Sequence, residues 1–364
     1  MEFFIPVDIY EEKDAVAKNA KKMCSYGAHA LIVTGKSSAA KCGALSDVQD
    51  ALTSYGKKYT VFAEVEENPS VETVIRGRDL GLKAGADFVI GIGGGSPMDA
   101  AKAIAMMMGY PEEGADYLYE KGPDGRALPI VEVPTTCGTG AEITWVSVLT
   151  RPLINKKGSI PHRLYPKLAL ADYRYLMNAP AQVIRNTSVD ALAHLMESYV
   201  NSEAQDFTKM LDREGMRVWA SAKDVLRRKD EEWMLTEEEA SVLIHASVLA
   251  GMAITHVGTA IPHGLSYPLT LTLNMPHGKA CGYFLADYLR EAPSETVRDV
   301  CELAGFSSCD EMKEFIWNVC RIEAAPKELL KEAAEMIIKS PGKLAAIPFE
   351  YDENTIYRIA FGRE

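Results

Sequence analysis

The chain has 364 residues, 47% apolar and 25% charged, the composition of an ordinary globular protein and not of a disordered, collagen-like or low-complexity one. Its net charge of −12 argues against a general nucleic-acid-binding surface, which has to be basic, so no nucleic-acid partner is expected. Seven cysteines without one CxxC pair read as reduced thiols, and Met-Glu-Phe-Phe-Ile-Pro lacks a basic, apolar leader, so a cytoplasmic protein is expected.

In chain order, the first half alternates apolar runs with amphipathic stretches. Residues 30–34 run into Gly35, 59–65 into Asn68-Pro69, 88–92 into Gly93-Gly94-Gly95, and 129–133 into Pro134. Helical spacing fills 71–84 and 97–107 between them. Strand, helix, strand in repetition predicts a parallel sheet with crossover helices, whose ligands bind at the carboxyl ends of the strands. Residues 165–177 read as a joint. Beyond them helices are predicted over 187–201, 206–227 and 236–253, with a mostly helical tail over 295–363. The predicted division is therefore an α/β domain over 1–176 and an all-α domain over 177–364.

Residues 240–278 carry no Asp, Glu, Lys or Arg. They do carry His245, His256, His263 and His277, with Pro262, Pro268 and Pro276 as breakers. A bilayer span does not take that polar load, so the stretch reads as buried helix holding polar groups, and no membrane partner is expected.

The sharpest motif of the first half is Gly93-Gly94-Gly95-Ser96-Pro97-Met98-Asp99. Ser96 is placed to cap a helix, Pro97 suits its first position and Asp99 completes an S-x-x-D capping pattern. The glycines let backbone approach a ligand, and a helix N-terminus there offers N–H groups to a phosphate. The loop is neither a full GxGxxG, because Ser96 holds the sixth position, nor a P-loop. Pro134-Thr135-Thr136-Cys137-Gly138-Thr139-Gly140-Ala141-Glu142-Ile143-Thr144 is a second hydroxyl-rich loop after a strand, suited to phosphate or amide oxygens. Cys137 has no histidine neighbour in sequence and is read as structural.

Asp190 and His194 stand four apart, which on a helix puts both on one face. Alone such a pair is more simply a surface hydrogen bond. His263 and His277 occupy similar Pro-His-Gly settings, and 14 residues of straight helix would hold them roughly 21 Å apart. Pro268 and Asn274-Met275-Pro276 allow the chain to fold back. Asp190, His194, His263 and His277 would then make a site for Fe²⁺, Zn²⁺, Co²⁺ or Mn²⁺ with room for a substrate oxygen. His29, His162, His245 and His256 are read as structural or cofactor-adjacent.

In this order and spacing the glycine loop with Ala100, Ala101 and Lys102, the threonine loop, Asp190 with His194, and His263 with Pro276-His277-Gly278 resemble the iron-containing (group III) alcohol dehydrogenase family. The resemblance spans essentially the whole chain. It implies a Rossmann-like N-terminal domain and an all-helical C-terminal domain, the dehydroquinate synthase-like architecture, with the active site in the cleft between them. It also implies a nicotinamide cofactor touching Asn68, Gly94, Gly95, Ser96, Asp99, Thr135, Thr136, Thr139, Thr144 and Lys157. Asp190, His194, His263 and His277 become the ligands of one divalent metal, Fe²⁺ first and Zn²⁺ second. A small alcohol or aldehyde is the implied substrate, and a homodimer the implied assembly. Many members carry a histidine four residues after the third ligand; here that residue is Tyr267, whose hydroxyl can serve as acid or base. With His263 it forms the expected catalytic pair.

The end of the first strand bears on the nucleotide. An Asp there would bond a ribose 2′-OH and repel a 2′-phosphate. This chain has Gly35, Lys36, Ser37 and Ser38, with Lys41 beyond, and no carboxylate, so NADP(H) is expected in preference to NAD(H). Two rival readings stand beside this one. A non-redox enzyme of the dehydroquinate synthase type needs a pocket lined with Lys and Arg for its anionic substrate, and 240–278 offers neither. A catalytically inactive metal- and nucleotide-binding protein is the other, kept open by Tyr267.

Overall fold

The computed structural model describes residues 3–154 and 156–362, so the reading of the first residues as lacking a leader lies partly outside them. Strands β1 (Asp8–Glu11), β2 (His29–Gly35), β3 (Lys58–Val65), β4 (Phe88–Gly93) and β5 (Ile130–Pro134) precede a hairpin of β6 (Val148–Arg151) and β7 (Lys156–Ser159), and β8 (Leu168–Ala171) follows it. Six of them form one sheet in the order β1-β8-β5-β4-β2-β3, every pairing parallel, while β6 and β7 pair antiparallel. All six residues of β4 are buried, as a parallel strand covered on both faces requires. Alternate residues feed two cores. Leu31, Val33 and Val89 pack with Ile104 and Met107, whereas Ala30, Ile32, Phe88 and Ile90 pack with Val48 and Leu52.

Helices of nine or more residues are α1 (Ala44–Ser54), α2 (Val71–Ala84) and α3 (Gly95–Gly109) in the sheet region. Then come α4 (Ala181–Val200), α5 (Asp206–Ser221), α6 (Glu237–Val257), α7 (Ile261–Leu273), α8 (His277–Leu289), α9 (Ser294–Leu303), α10 (Cys309–Val319), α11 (Lys327–Ile338) and α12 (Glu353–Phe361). The four strands expected from apolar runs are present as β2–β5. The four-residue β1 and β8 escape sequence reading because they are too short to show a period; β8 lies inside the stretch read as a joint. The 206–227 helix stops at Ser221 and continues as a 3₁₀ turn over Lys223–Arg227.

The chain divides into two units. One comprises Ile5–Thr136 and Gly140–Ala179; Cys137–Thr139 belongs with the other, which continues from Pro180. In the helical unit every residue of α4 from Ile184 to Val200 except the half-buried Thr187 is buried, the position of a central helix. Among the described residues α6 alone is long and apolar enough to cross a membrane by length and composition, with 61% of that stretch buried in the structure. Its start is set by a capping box, Thr236 Oγ1 accepting from Glu239 N while Glu239 accepts from Thr236 N.

Candidate functional site

The central helix α4 carries Asp190, His194 and, one further turn along, Glu197, all buried. Pro262 at the start of α7 and Pro276 before α8 place His263 and His277 at two helix N-termini. Pro268, expected to break the chain, lies inside α7; the ring is buried and the helix runs on to Leu273. The reversal comes at Asn274, which adopts a left-handed φ of 50°, and Met275-Pro276 then lead back beside α7. Gly278 makes the return possible: a Cβ there would lie 1.9 Å from Asn186 O and 2.8 Å from Asp190 Cβ. As a result the His263 and His277 rings lie 5.3 Å apart.

His263 Nε2 stands 3.6 Å from Asp190 Oδ1 and His277 Nε2 stands 3.9 Å from it. Among the described residues, Asp190 Oδ1 and His263 Nε2 are buried with no hydrogen-bond partner. Ligands at 2.0–2.2 Å from one tetrahedral ion are about 3.4 Å apart, so these atoms are spaced as ligands of a common cation. Cys281 Sγ joins them: the ligand atoms of Asp190, His263, His277 and Cys281 all lie within 4.8 Å of one another. His194 stacks on His263 with ring centroids 4.4 Å apart, and its Nδ1 faces Gly138 O at 3.1 Å. A proton on that Nδ1 leaves Nε2 as the lone-pair nitrogen.

Sequence reasoning missed Glu197 and Cys281. Glu197 Oε1 accepts from His263 Nδ1 at 2.5 Å and its Oε2 accepts from Ala260 N at 2.6 Å. This carboxylate–imidazole pairing fixes the tautomer that points Nε2 at the cluster. The only signal for it was the 190, 194, 197 helical spacing; for Cys281 it was its place four residues after His277. Burial holds the His194 pKa down at about 4. Burial also opposes ionisation of Asp190, but His194, His277 and His263 outweigh it and keep the carboxyl below its usual range. Tyr267 is half-buried and stacks near-parallel on His277, ring centroids 6.3 Å apart.

In the sheet unit, β4 ends at Gly93 with φ 153°, where a Cβ would lie 2.6 Å from Pro97 Cγ. The helix that follows is capped by Gly94 and not by Ser96, and no side chain caps it. The expected S-x-x-D box is absent because both side chains have other partners. Ser96 Oγ accepts from Asn68 N at 3.1 Å, and Asp99 Oδ2 accepts from Val148 N at 3.0 Å. The helix start, Gly94 to Ser96, is thus left uncovered by a cap. Asn68 takes a left-handed φ of 57°, and its Oδ1 accepts from Lys157 Nζ at 2.5 Å. Thr135 N donates to Gly93 O at 2.8 Å, joining the two loops. Thr135 and Thr144 are buried, and Thr136 Oγ1, buried and unpartnered among the described residues, sits 3.3 Å from the Cβ position of Gly94. Thr139 lies on the short segment that groups with the helical unit. An uncapped helix start beside an orphaned hydroxyl, at the carboxyl end of a parallel sheet, fits a dinucleotide phosphate.

Gly35 ends β2 where its register with β3 shifts. Lys36, Ser37, Ser38 and Lys41 after it are exposed. Behind the glycine loop, Lys102 is fully buried and donates to Ala141 O at 2.6 Å and Val146 O at 2.8 Å, tying down the threonine loop. Of the other histidines, His29 bonds Thr60 Oγ1, His162 bonds Tyr117 O and His256 bonds Met252 O, all structural roles. Cys137 Sγ lies 3.5 Å from Thr187 Oγ1.

Residues 6–173 match the family model of iron-containing alcohol dehydrogenase, and residues 184–328 match that of the Fe-containing alcohol dehydrogenase family, C-terminal. Lactaldehyde reductase of Escherichia coli K12 is 32% identical over 286 residues, covering 76% of this chain and 72% of that protein. The crystal structure of an iron-containing alcohol dehydrogenase from Thermotoga maritima superposes with a TM-score of 0.88 at 32% identity, covering 100% of this chain and 99% of that one. Sulfoacetaldehyde reductase from Bifidobacterium kashiwanohense, solved in complex with NAD⁺, gives a TM-score of 0.84 at 25% identity over 99% of this chain and 97% of that one. On the sequence of both its halves and on its fold, this chain belongs to the iron-containing alcohol dehydrogenase family.

Proposed function

We propose that the protein is a metal-dependent, NADP(H)-linked alcohol dehydrogenase or aldehyde reductase for small substrates. The observation that carries this reading is the pair of buried, unpartnered atoms, Asp190 Oδ1 and His263 Nε2, converging with His277. Asp190, His194, His263 and His277 hold one divalent cation, Fe²⁺ first and Zn²⁺ second. When bound, the cation supplies Lewis acidity for a carbonyl or alcohol oxygen and the nicotinamide supplies or accepts hydride.

The chain's own residues do the rest. Glu197 and the Gly138 carbonyl orient His263 and His194. The start of α3, from Gly94 to Ser96, receives the pyrophosphate. Thr135, Thr136, Thr139, Thr144, Asn68, Asp99 and Lys157 shape the remainder of the nucleotide site. Lys36 and Ser37 beside Gly35 offer donors to a 2′-phosphate, and no carboxylate lies between Leu31 and Ser46 to repel it. Tyr267, beside His277, passes the proton to or from the substrate oxygen.

Short aldehydes suit the uncharged 240–278 stretch, and relatives are named for lactaldehyde and sulfoacetaldehyde. The test is an aldehyde panel with NADPH and with NADH, run anaerobically with defined metal. NADPH consumption should vanish on chelation and return with Fe²⁺ or Zn²⁺. A clear preference for NADH overturns the cofactor assignment; no turnover with any metal overturns the enzyme. A homodimer is carried over from the family resemblance and a cytoplasmic location from the reduced cysteines, and light scattering measures the assembly.

A further inference from the structure

Cys281 is fully buried on α8, one turn after His277, on the same helix face. Its sulfur does not rest on a backbone carbonyl, as those of Cys24 and Cys320 do on Ala51 O and Arg185 O. It faces the His277 ring, 3.8 Å from Nδ1 and 3.7 Å from Nε2. A nitrogen and a sulfur bound to one ion, with bonds of 2.0–2.1 and 2.3 Å and an angle of about 90–120°, are about 3.1–3.8 Å apart. Sγ also lies within 4.8 Å of the ligand atoms of Asp190 and His263, the two orphaned donors. Four donors from α4, α7 and α8 therefore surround one small volume, and one of them is sulfur.

We infer that Cys281 is an additional metal ligand, adding a sulfur to the nitrogen and oxygen donors of Asp190 and the histidines. It binds as thiolate, its proton passing to solvent as the cation takes its place. A soft donor in an otherwise borderline set biases the site toward Zn²⁺ and Co²⁺ relative to Fe²⁺. Cys281 is then a residue that sets metal choice in this chain. The inference rests on the metal-site reading above.

Loading the full chain with Co²⁺ tests it by absorption spectroscopy. The wild type is expected to take up one Co²⁺ and show a near-ultraviolet thiolate-to-cobalt charge-transfer band. Cys281→Ser should lose that band while keeping the visible d–d bands, and its affinity for Zn²⁺ relative to Fe²⁺ should fall below that of the wild type. Cys281→Ala gives the same reading should the serine variant fold poorly, and Cys42→Ser should keep the band. One bound Co²⁺ without a thiolate band in the wild type, or a band that survives in Cys281→Ser, overturns the assignment and leaves the metal centre standing. Failure of the wild type to bind stoichiometric Co²⁺ overturns both.

Discussion

Glu197 has no solvent-exposed surface, and both its oxygens are used, one by His263 Nδ1 and one by Ala260 N. Glu197→Gln turns one of the two acceptor oxygens into an NH₂ donor, so His263 Nδ1 and Ala260 N can no longer both be served and the hold on the His263 tautomer weakens. Metal affinity should fall about 10–100-fold, read by chelator competition, and unchanged affinity would refute the role. Tyr267→Phe keeps the ring on His277 and removes only the hydroxyl. Its kcat should fall about 10²-fold or more with metal content intact; an unaltered kcat assigns the proton route elsewhere. At this scale Asp190, His194, His263 and His277 stand out in the sequence as candidates because their types and neighbours are distinctive, and the structure brings Asp190, His263 and His277 together with His194 stacked on His263. Glu197 does not stand out, because a helical glutamate is ordinarily solvated and only the packing of α7 on α4 turns it into a buried acceptor.

At the level of elements, apolar runs ended by glycine or proline point to β2–β5, and helical spacing points to α2, α3 and most of α4–α6, since both signals are local. At the start of the glycine-loop helix the structure departs from the local sequence signal. Ser96 and Asp99 have the right spacing for a box, but strand connections bring Asn68 N and Val148 N to them, and those longer-range partners win. Pro268 likewise does not stop α7, whose residues before and after it, Leu265, Ser266, Leu269 and Thr270, are all buried. The close approach of α8 to α4 is an element-scale device with a direct test. Gly278→Ala places a methyl against the Asn186 carbonyl and Asp190, so α8 has to move away. The cost should be about 1–3 kcal/mol, seen as a lower Tm, together with reduced metal content. A variant with wild-type Tm and metal would show that the contact is slack.

Over the whole molecule, an acidic array beneath the glycine and threonine loops couples stability to pH. Burial pushes the Glu142 carboxyl up to about 7, that of Asp99 up to about 6, and that of Glu132 well above its usual value, while Lys102 offsets part of each shift. Both oxygens of Glu132 are unpartnered among the described residues. A carboxyl whose folded pKa is raised holds its proton more tightly than in the unfolded chain. Its contribution is complete below the unfolded pKa and is lost as pH climbs through the folded one. For Glu142, going from 4.5 to about 7, that amounts to about 3 kcal/mol. Urea unfolding of wild type and Glu142→Gln from pH 5 to 8 should show the variant gaining relative stability as pH rises; a difference constant with pH would contradict it.

The order of apolar runs, the punctuating glycines and prolines and the uncharged stretch at 240–278 determined, by themselves, a parallel sheet followed by a helical half, because those signals act over a few residues of chain. The tertiary structure alone decided which donors meet. It reversed the chain at Asn274 to set His277 beside His263, seated both against Asp190, and delivered Glu197 and Cys281 to the same place. Convergence of that kind depends on how helices dozens of residues apart pack, and side-chain spacing along the chain carries no record of it.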